Sequence, residues 1–191
     1  MTVDEYKKIL RQKLTEKRYH HSLCVADEAV RLAEKYGGDA QKAYYAGLLH
    51  DILKDTPGKE QLQLMAELGI IPTEIERSAP KLWHAMAGSA YLRREFGLSE
   101  DIVAAVRYHT TARAGMSLLE KILYLADFTS ADRDYDGVEE LRRAVDVSIE
   151  AAMRAALRFT IEDLCAKGLP IHPDTFMAYN EIMLLSRKKE V

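Results

Sequence analysis

Apolar residues recur three and four positions apart along almost the whole 191-residue chain, and no stretch alternates with the period of two that a half-buried strand needs. That periodicity predicts an all-α fold. Start and stop signals divide the chain into helices. Thr2 and Glu5 read as a capping box that opens a first helix running to about residue 17. A second, over about 19–36, stops at Gly37 and Gly38, and Asp39 caps a third that reaches about 53. After the turn "DTPGKE" come a short helix at about 59–68, a loop "IIPTEIERSAP" holding one helical turn, and a helix at about 82–96. Ser99 starts another to about 108, and a Ser117 to Glu120 capping box opens one to about 128. The polar loop "TSADRDYDG" precedes a long helix over about 138–167, which "GLP" ends, and Asp174 caps the last. The terminal "RKKE" reads as a solvated helix end.

At this length one domain buries a substantial core, and the hydrophobic share of 48% suits a globular protein. A formal charge of -3 argues against a nucleic-acid partner held by bulk electrostatics, so any phosphate binding must be local. Cys24 and Cys165 form no C-x-x-C pair and read as buried small apolar residues of a reduced, cytoplasmic protein. The opening "MTVDEYKKILRQKL" has no signal-peptide core, and no apolar run approaches the roughly 18 residues of a membrane span.

The chemistry lies in "AGLLHDILKD", where His50 and Asp51 sit side by side inside an apolar run. Helix phase sorts the remaining candidates. His21 shares a stripe with Val25, Ala29 and Leu32, whereas His20 shares a polar face with Asp27 and Arg31. His50 follows Ala43, Ala46 and Gly47, small residues that let a neighbouring helix approach. His84 precedes Ala87, Gly88 and Tyr91, His109 ends the face of Ile102, Ala105 and Val106, and Asp127 lies one turn after Leu123 and Tyr124. Four histidines and two aspartates thus point inward. An interior pair of carboxylates repels, and neutral imidazoles offer it no compensating charge. A divalent metal resolves the conflict, and a mixed nitrogen and oxygen set suits iron, manganese, cobalt or zinc better than magnesium or calcium.

The ordered motifs "RYHH", "LLHD", "WHA", "RYHTTAR" and "YLAD" resemble those of the HD-domain metal-dependent phosphohydrolases, and more narrowly the YqeK-type branch, over about residues 5–185. That branch hydrolyses diadenosine tetraphosphate symmetrically to two ADP. The resemblance implies one HD domain over residues 1–191, with a core at about 16–130 and C-terminal helices at about 138–188 packed on it. It also implies a metal held by His21, His50, Asp51 and Asp127, with His84 and His109 serving a second metal or facing the phosphates. Iron is the first expectation for the metal and a homodimer for the assembly. Ala112 stands where the family's H-T-T-G-R has glycine.

A polyphosphate substrate needs further cations and donors, and Lys54, Thr110, Thr111, Arg113 and Arg133 are the candidates beside the ligands. Arg18 reads as a supporting or surface residue. The expected reaction is in-line attack of metal-bound water on phosphorus, with Asp51 and Asp55 the catalytic carboxylates; Asp55, one turn after Asp51, is either the general base or an exposed acid at a helix end. Trp83 either stacks on a nucleobase or packs. The alternatives are an HD-domain nucleotidase or phosphodiesterase acting on another nucleotide, which the H-T-T-x-R loop argues against, and a non-catalytic nucleotide-binding regulator, which would be expected to have lost some of the six ligands.

Overall fold

A computed structural model describes residues 1–188; the end of the "RKKE" run, from residue 189 on, lies outside them. Every regular element among the described residues is helical. These are α1 (Val3–Lys13), α2 (Glu16–Tyr36), α3 (Ala40–Leu49), α4 (Gly58–Glu67), α5 (Glu74–Ser78), a 3-10 turn (Pro80–Leu82), α6 (Trp83–Phe96), α7 (Glu100–Tyr108), α8 (Leu118–Thr129), α9 (Val138–Val147), α10 (Ile149–Ala166) and α11 (Pro173–Lys188).

Packing of α2, α3, α7 and α8 on one another makes the centre, α6 closes it against α7, and α10 joins it to α9 and α11. The apolar run of α8 is enclosed, with Ile122, Leu123, Tyr124, Leu125 and Ala126 all buried. The capping boxes at Thr2 and Ser117 form as the sequence predicts, and a third, Thr73 with Glu76, starts α5.

Three boundaries differ from the sequence expectation, and each has a local cause. The first helix stops at Lys13, because Thr15 turns extended and caps α2 by accepting from the Arg18 amide at 3.4 Å. α2 therefore begins at Glu16, which puts Arg18 in its first turn. The expected long helix at 138–167 is two helices: Ser148 is fully extended (φ -167°) and its hydroxyl accepts from the Ala151 amide at 3.1 Å, making it the cap of α10. At α11, Pro173 takes the first position, and the His172 imidazole accepts from the Asp174 amide at 3.1 Å, so Asp174 lies inside the first turn instead of capping it.

The end of α3 differs too, and this bears on the site. The helix closes at Leu49, four residues before the expected end, and residues 50–56 wind on with three-residue hydrogen bonds, Ile52 to Leu49 at 3.1 Å, Lys54 to Asp51 at 2.8 Å and Thr56 to Leu53 at 3.2 Å. In such winding the residue three on, not four on, eclipses its predecessor. Lys54 consequently shares a face with Asp51, and Asp55 does not.

Gly47 allows α3 to lie directly on α2: a Cβ there would meet the Ala26 Cα at 2.7 Å and the Val25 carbonyl oxygen at 2.9 Å. Both contacts are to backbone, which cannot swing aside. Gly47→Ala is expected to destabilise the protein by about 1–3 kcal/mol by forcing the two helices apart. Urea unfolding measures it, and an unchanged midpoint would mean that the helices separate at no cost.

Candidate metal centre

Five helices deliver the six residues singled out by helix phase to one place. α2 brings His21, the turn after α3 brings His50 and Asp51, α6 brings His84, the end of α7 brings His109, and α8 brings Asp127. The four histidines and Asp51 are between 0% and 3% exposed, and Asp127 is partly open on one side.

The imidazole orientations are set from outside the centre. His50 Nδ1 donates to the Gly47 carbonyl at 2.7 Å, His109 Nδ1 donates to the Val106 carbonyl at 2.7 Å, and His21 Nδ1 donates to Asp132 Oδ2 at 2.8 Å. With the proton on Nδ1, each ring turns the lone pair of Nε2 inward. What those lone pairs meet is more acceptors. Asp127 Oδ1 lies 3.0 Å from His21 Nε2 and 3.8 Å from His50 Nε2; Asp51 Oδ2 lies 3.4 Å from His50 Nε2. Asp51 Oδ1 lies 3.0 Å from His84 Nε2 and 3.7 Å from His109 Nε2, and those two nitrogens are 3.2 Å apart. His50 Nε2 and Asp51 Oδ1 are buried with no hydrogen-bond partner.

Acceptors converging on acceptors in the interior call for a cation, and the donor set fits a divalent metal. Two overlapping triads have ligand atoms all within 4.8 Å of one another, His21 with His50 and Asp127, and His50 with Asp51 and His109. Burial pushes the Asp51 carboxyl up, but His50, His109 and His84 around it hold it well below the usual range. Asp127 shows the same balance, burial against His21, Arg133 and His50. Burial, outweighing the contact with Asp51, brings His84 down to about 4, so it is a neutral imidazole near pH 7. Ionised carboxylates and neutral imidazoles are the forms that ligate.

The flanking candidates divide. Lys54 Nζ reaches His84 Nε2 at 3.2 Å and stands 3.9 Å from Asp51 Oδ1. Arg133 donates from Nε to the Asp127 carbonyl at 2.7 Å, and its Nη2 pairs with Asp127 Oδ1 and lies 3.4 Å from His21 Nε2. Of the two readings of Asp55 the structure matches the exposed acid: its Oδ2 accepts from the Thr15 amide at 2.8 Å and the Thr15 hydroxyl at 2.9 Å, holding the junction between α1 and α2. Arg113 also turns elsewhere. It forms a two-pronged pair with the buried Glu120, Nε to Oε1 at 2.5 Å and Nη2 to Oε2 at 3.1 Å, and lies 4.7 Å from the Tyr108 ring centre.

Thr111 is buried, gives its hydroxyl to the Ala112 carbonyl at 2.9 Å and accepts at its own carbonyl from Thr175 at 2.7 Å, pinning α11 to this loop. Thr110 keeps an unpartnered hydroxyl. Ala112, in the place of the family's glycine, has φ +56°, so the left-handed turn is kept with a methyl group on it. Trp83 donates from its indole to the Glu76 carbonyl at 2.7 Å, which ties α6 to α5. Cys165 is exposed and Cys24 half-buried, against the expectation that both are buried.

Helix phase missed two residues that touch the centre. Arg18 Nη1 pairs with Asp51 Oδ2 at 2.8 Å, and Asp132, braced by the Ser130 hydroxyl at 2.7 Å, orients His21. "RYHH" already places Arg18 one turn before His21, but no periodicity marks Asp132, which lies in a loop.

Comparison with known proteins gives a consistent family. Residues 18–132 match the HD domain family. A protein of Bacillus subtilis (strain 168) named bis(5'-nucleosyl)-tetraphosphatase, symmetrical, is 39% identical over 181 residues, which cover 94% of this chain and 97% of that one. A Staphylococcus aureus protein of the same name is 37% identical, with 94% of each chain covered. A crystal structure from Clostridium acetobutylicum, described as a predicted HD superfamily hydrolase involved in NAD metabolism, is similar with a TM-score of 0.92 at 38% identity, covering 96% of this chain and 97% of that one.

The Arg113 and Glu120 pair carries a pH signature. Burial raises the Glu120 carboxyl, and Arg113 with the Ser117 cap brings it below its ordinary value of 4.5. A group depressed in the folded state stabilises above its unfolded value and loses that stabilisation as pH falls through the folded one. Glu120→Gln is expected to cost about 1–2 kcal/mol at pH 7, between an exposed pair and a buried one, and progressively less below about pH 4.5. Unfolding midpoints of both proteins at several pH values test this; a pH-independent gap would show that the charge of Glu120 is irrelevant.

Proposed function

The chain belongs to the HD-domain family, and from that membership we propose that it is a metal-dependent hydrolase that cleaves diadenosine tetraphosphate and related dinucleoside polyphosphates symmetrically. The names of the B. subtilis and S. aureus relatives support the substrate and the bond, and their identity extends over nearly the whole chain. The observation that carries the reading is the convergence of inward Nε2 lone pairs on two ionised carboxylates, Asp51 buried and Asp127 half-buried, an arrangement that a divalent cation satisfies.

His21, His50, Asp51 and Asp127 are the proposed ligands, and His84 and His109 complete a second position or face the phosphates. Iron suits the set first, with manganese, cobalt and zinc as substitutes, in one or two ions. When bound, the ion supplies an activated water and neutralises charge on the attacked phosphate. In the reaction a water oxygen bonds to one of the two central phosphorus atoms, the bridge between them breaks, and both halves leave as nucleoside diphosphates. Asp51, as a ligand, is the catalytic carboxylate. Lys54 and Arg133 stand beside the ligands as phosphate partners, and the free Thr110 hydroxyl is a third donor. Asp55, Thr111 and Arg113 hold the frame. A single HD domain, a homodimer and a cytoplasmic location complete the reading; no helix is long and apolar enough to cross a membrane among the described residues.

Protein purified without air, given each metal in turn with diadenosine tetraphosphate, is expected to yield ADP as the sole product by chromatography. Replacing His50 or Asp51 by alanine should lower kcat/KM by roughly a thousandfold or more, whereas Asp55→Asn should stay within about tenfold. AMP appearing with ATP would overturn the bond assignment, and no turnover with any metal would overturn the activity.

A further inference from the structure

A cavity of about 260 Å³ opens directly on the centre. His21 is at its floor, and Lys17, Arg18 and Arg133 line it together with Asp132 and Asp134. It is the mouth through which a polyphosphate would approach. Two of its three cations are already engaged. Arg133 Nη2 pairs with Asp127 Oδ1 and lies 3.4 Å from His21 Nε2, the two ligand atoms an ion on that side requires. Arg18 Nη1 is 2.8 Å from Asp51 Oδ2. Both arginines are about one-third exposed at the side chain, and their charged ends lie on Asp51 and Asp127.

A divalent ion bonds nitrogen and oxygen ligands at about 2.0–2.2 Å, well inside the spacing a guanidinium nitrogen keeps, so the two compete for the same atoms. Charge sharpens the competition. With neutral imidazoles, four bases (Lys17, Arg18, Lys54, Arg133) face four acids (Asp51, Asp127, Asp132, Asp134), a neutral set. Each divalent ion adds two positive charges and makes the arginine ends repel what they had been holding. The Nε of Arg133, donating to the Asp127 backbone carbonyl at 2.7 Å, is an anchor the ion does not contest, and it keeps the guanidinium at the rim while Nη2 changes partner.

Resting on the hydrolase reading above, we propose that Arg133 and Arg18 are exchangeable partners of the centre: a divalent cation takes Asp127 and Asp51 from them, and the freed guanidinium groups then bind the substrate's polyphosphate in the mouth. Substrate affinity is thereby conditional on the metal, through the arginines as well as through the ion. Lys17, which no ligand holds in this way, contributes a fixed positive charge to the same wall.

Thermal unfolding of the wild type, Arg133→Gln and Arg113→Gln, each stripped with EDTA and each saturated with manganese, tests the exchange. Arg133→Gln is expected to lower Tm in the stripped protein by clearly more than in the manganese-bound protein, where only the loss of the Nε bond to the Asp127 carbonyl remains. Arg113→Gln, which breaks a pair outside the centre, should lower both alike. Calorimetric titration of manganese tripolyphosphate into the manganese-saturated proteins then reads the second half, where Arg133→Gln and Arg18→Gln should each weaken binding roughly tenfold. An Arg133→Gln deficit as large with manganese as without it would make the residue a fixed strut and overturn the exchange. Unchanged tripolyphosphate affinity would overturn the assignment of the arginines to phosphate. Neither readout needs turnover, so a failure to hydrolyse diadenosine tetraphosphate is a separate result that bears on the activity alone.

Discussion

Asp51 carries a negative charge at 2% exposure, with the Nε2 atoms of His84, His50 and His109 lying 3.0, 3.4 and 3.7 Å from its oxygens, and the geometry of the site follows from how that charge is compensated. Isolated in the interior, such a carboxylate would cost several kcal/mol and would protonate instead. It stays ionised here because His50, His109 and His84 surround it and Arg18 bonds its outer oxygen. The same holds one helix away for Asp127, with His21 and Arg133. These two charges, each held by residues from other parts of the chain, fix how α2, α6, α7 and α8 meet at the turn after α3.

The backbone is shaped to serve this. Gly47 brings α3 onto α2 without a side chain between them, and its carbonyl, one turn before His50, fixes that imidazole. Closing α3 at Leu49 and winding tightly afterwards turns His50, Asp51 and Lys54 toward the centre, while Asp55 returns to hold Thr15 at the head of α2. The head of α2 in turn positions Arg18 and His21. One short segment thus sets both sides of the centre, and a shift in either the glycine or the turn would be felt by every ligand.

Much of this was legible beforehand. The six ligand candidates share one property that a 3.6-residue period reveals, an inward direction on otherwise apolar stripes, and all six meet. The helices were legible where Ser, Thr and Asp caps stand alone, as at Ser117 and Asp39. Ser148 escaped notice because Val145, Ile149 and Met153 continue an apolar period across it, so the break shows only in the backbone. For Asp55 the sequence left two readings open, because four-residue winding would turn it toward Asp51 and the three-residue winding found here turns it away. Arg113 was misread because its partner, Glu120, comes from the next helix, and no local pattern joins a loop arginine to a buried acid seven residues later. Asp132 was invisible for the same reason: its role is set by a residue more than a hundred positions away.

The central claim is that the converging Nε2 and carboxylate atoms form a metal centre. Anomalous diffraction at the manganese edge from crystals grown with that ion tests it most directly. The expected result is a peak in bonding contact with His21, His50, Asp51 and Asp127, with a second beside His84 and His109 permitted. A map without a peak at these residues, and with Arg18 and Arg133 still on the carboxylates at saturating manganese, would contradict it.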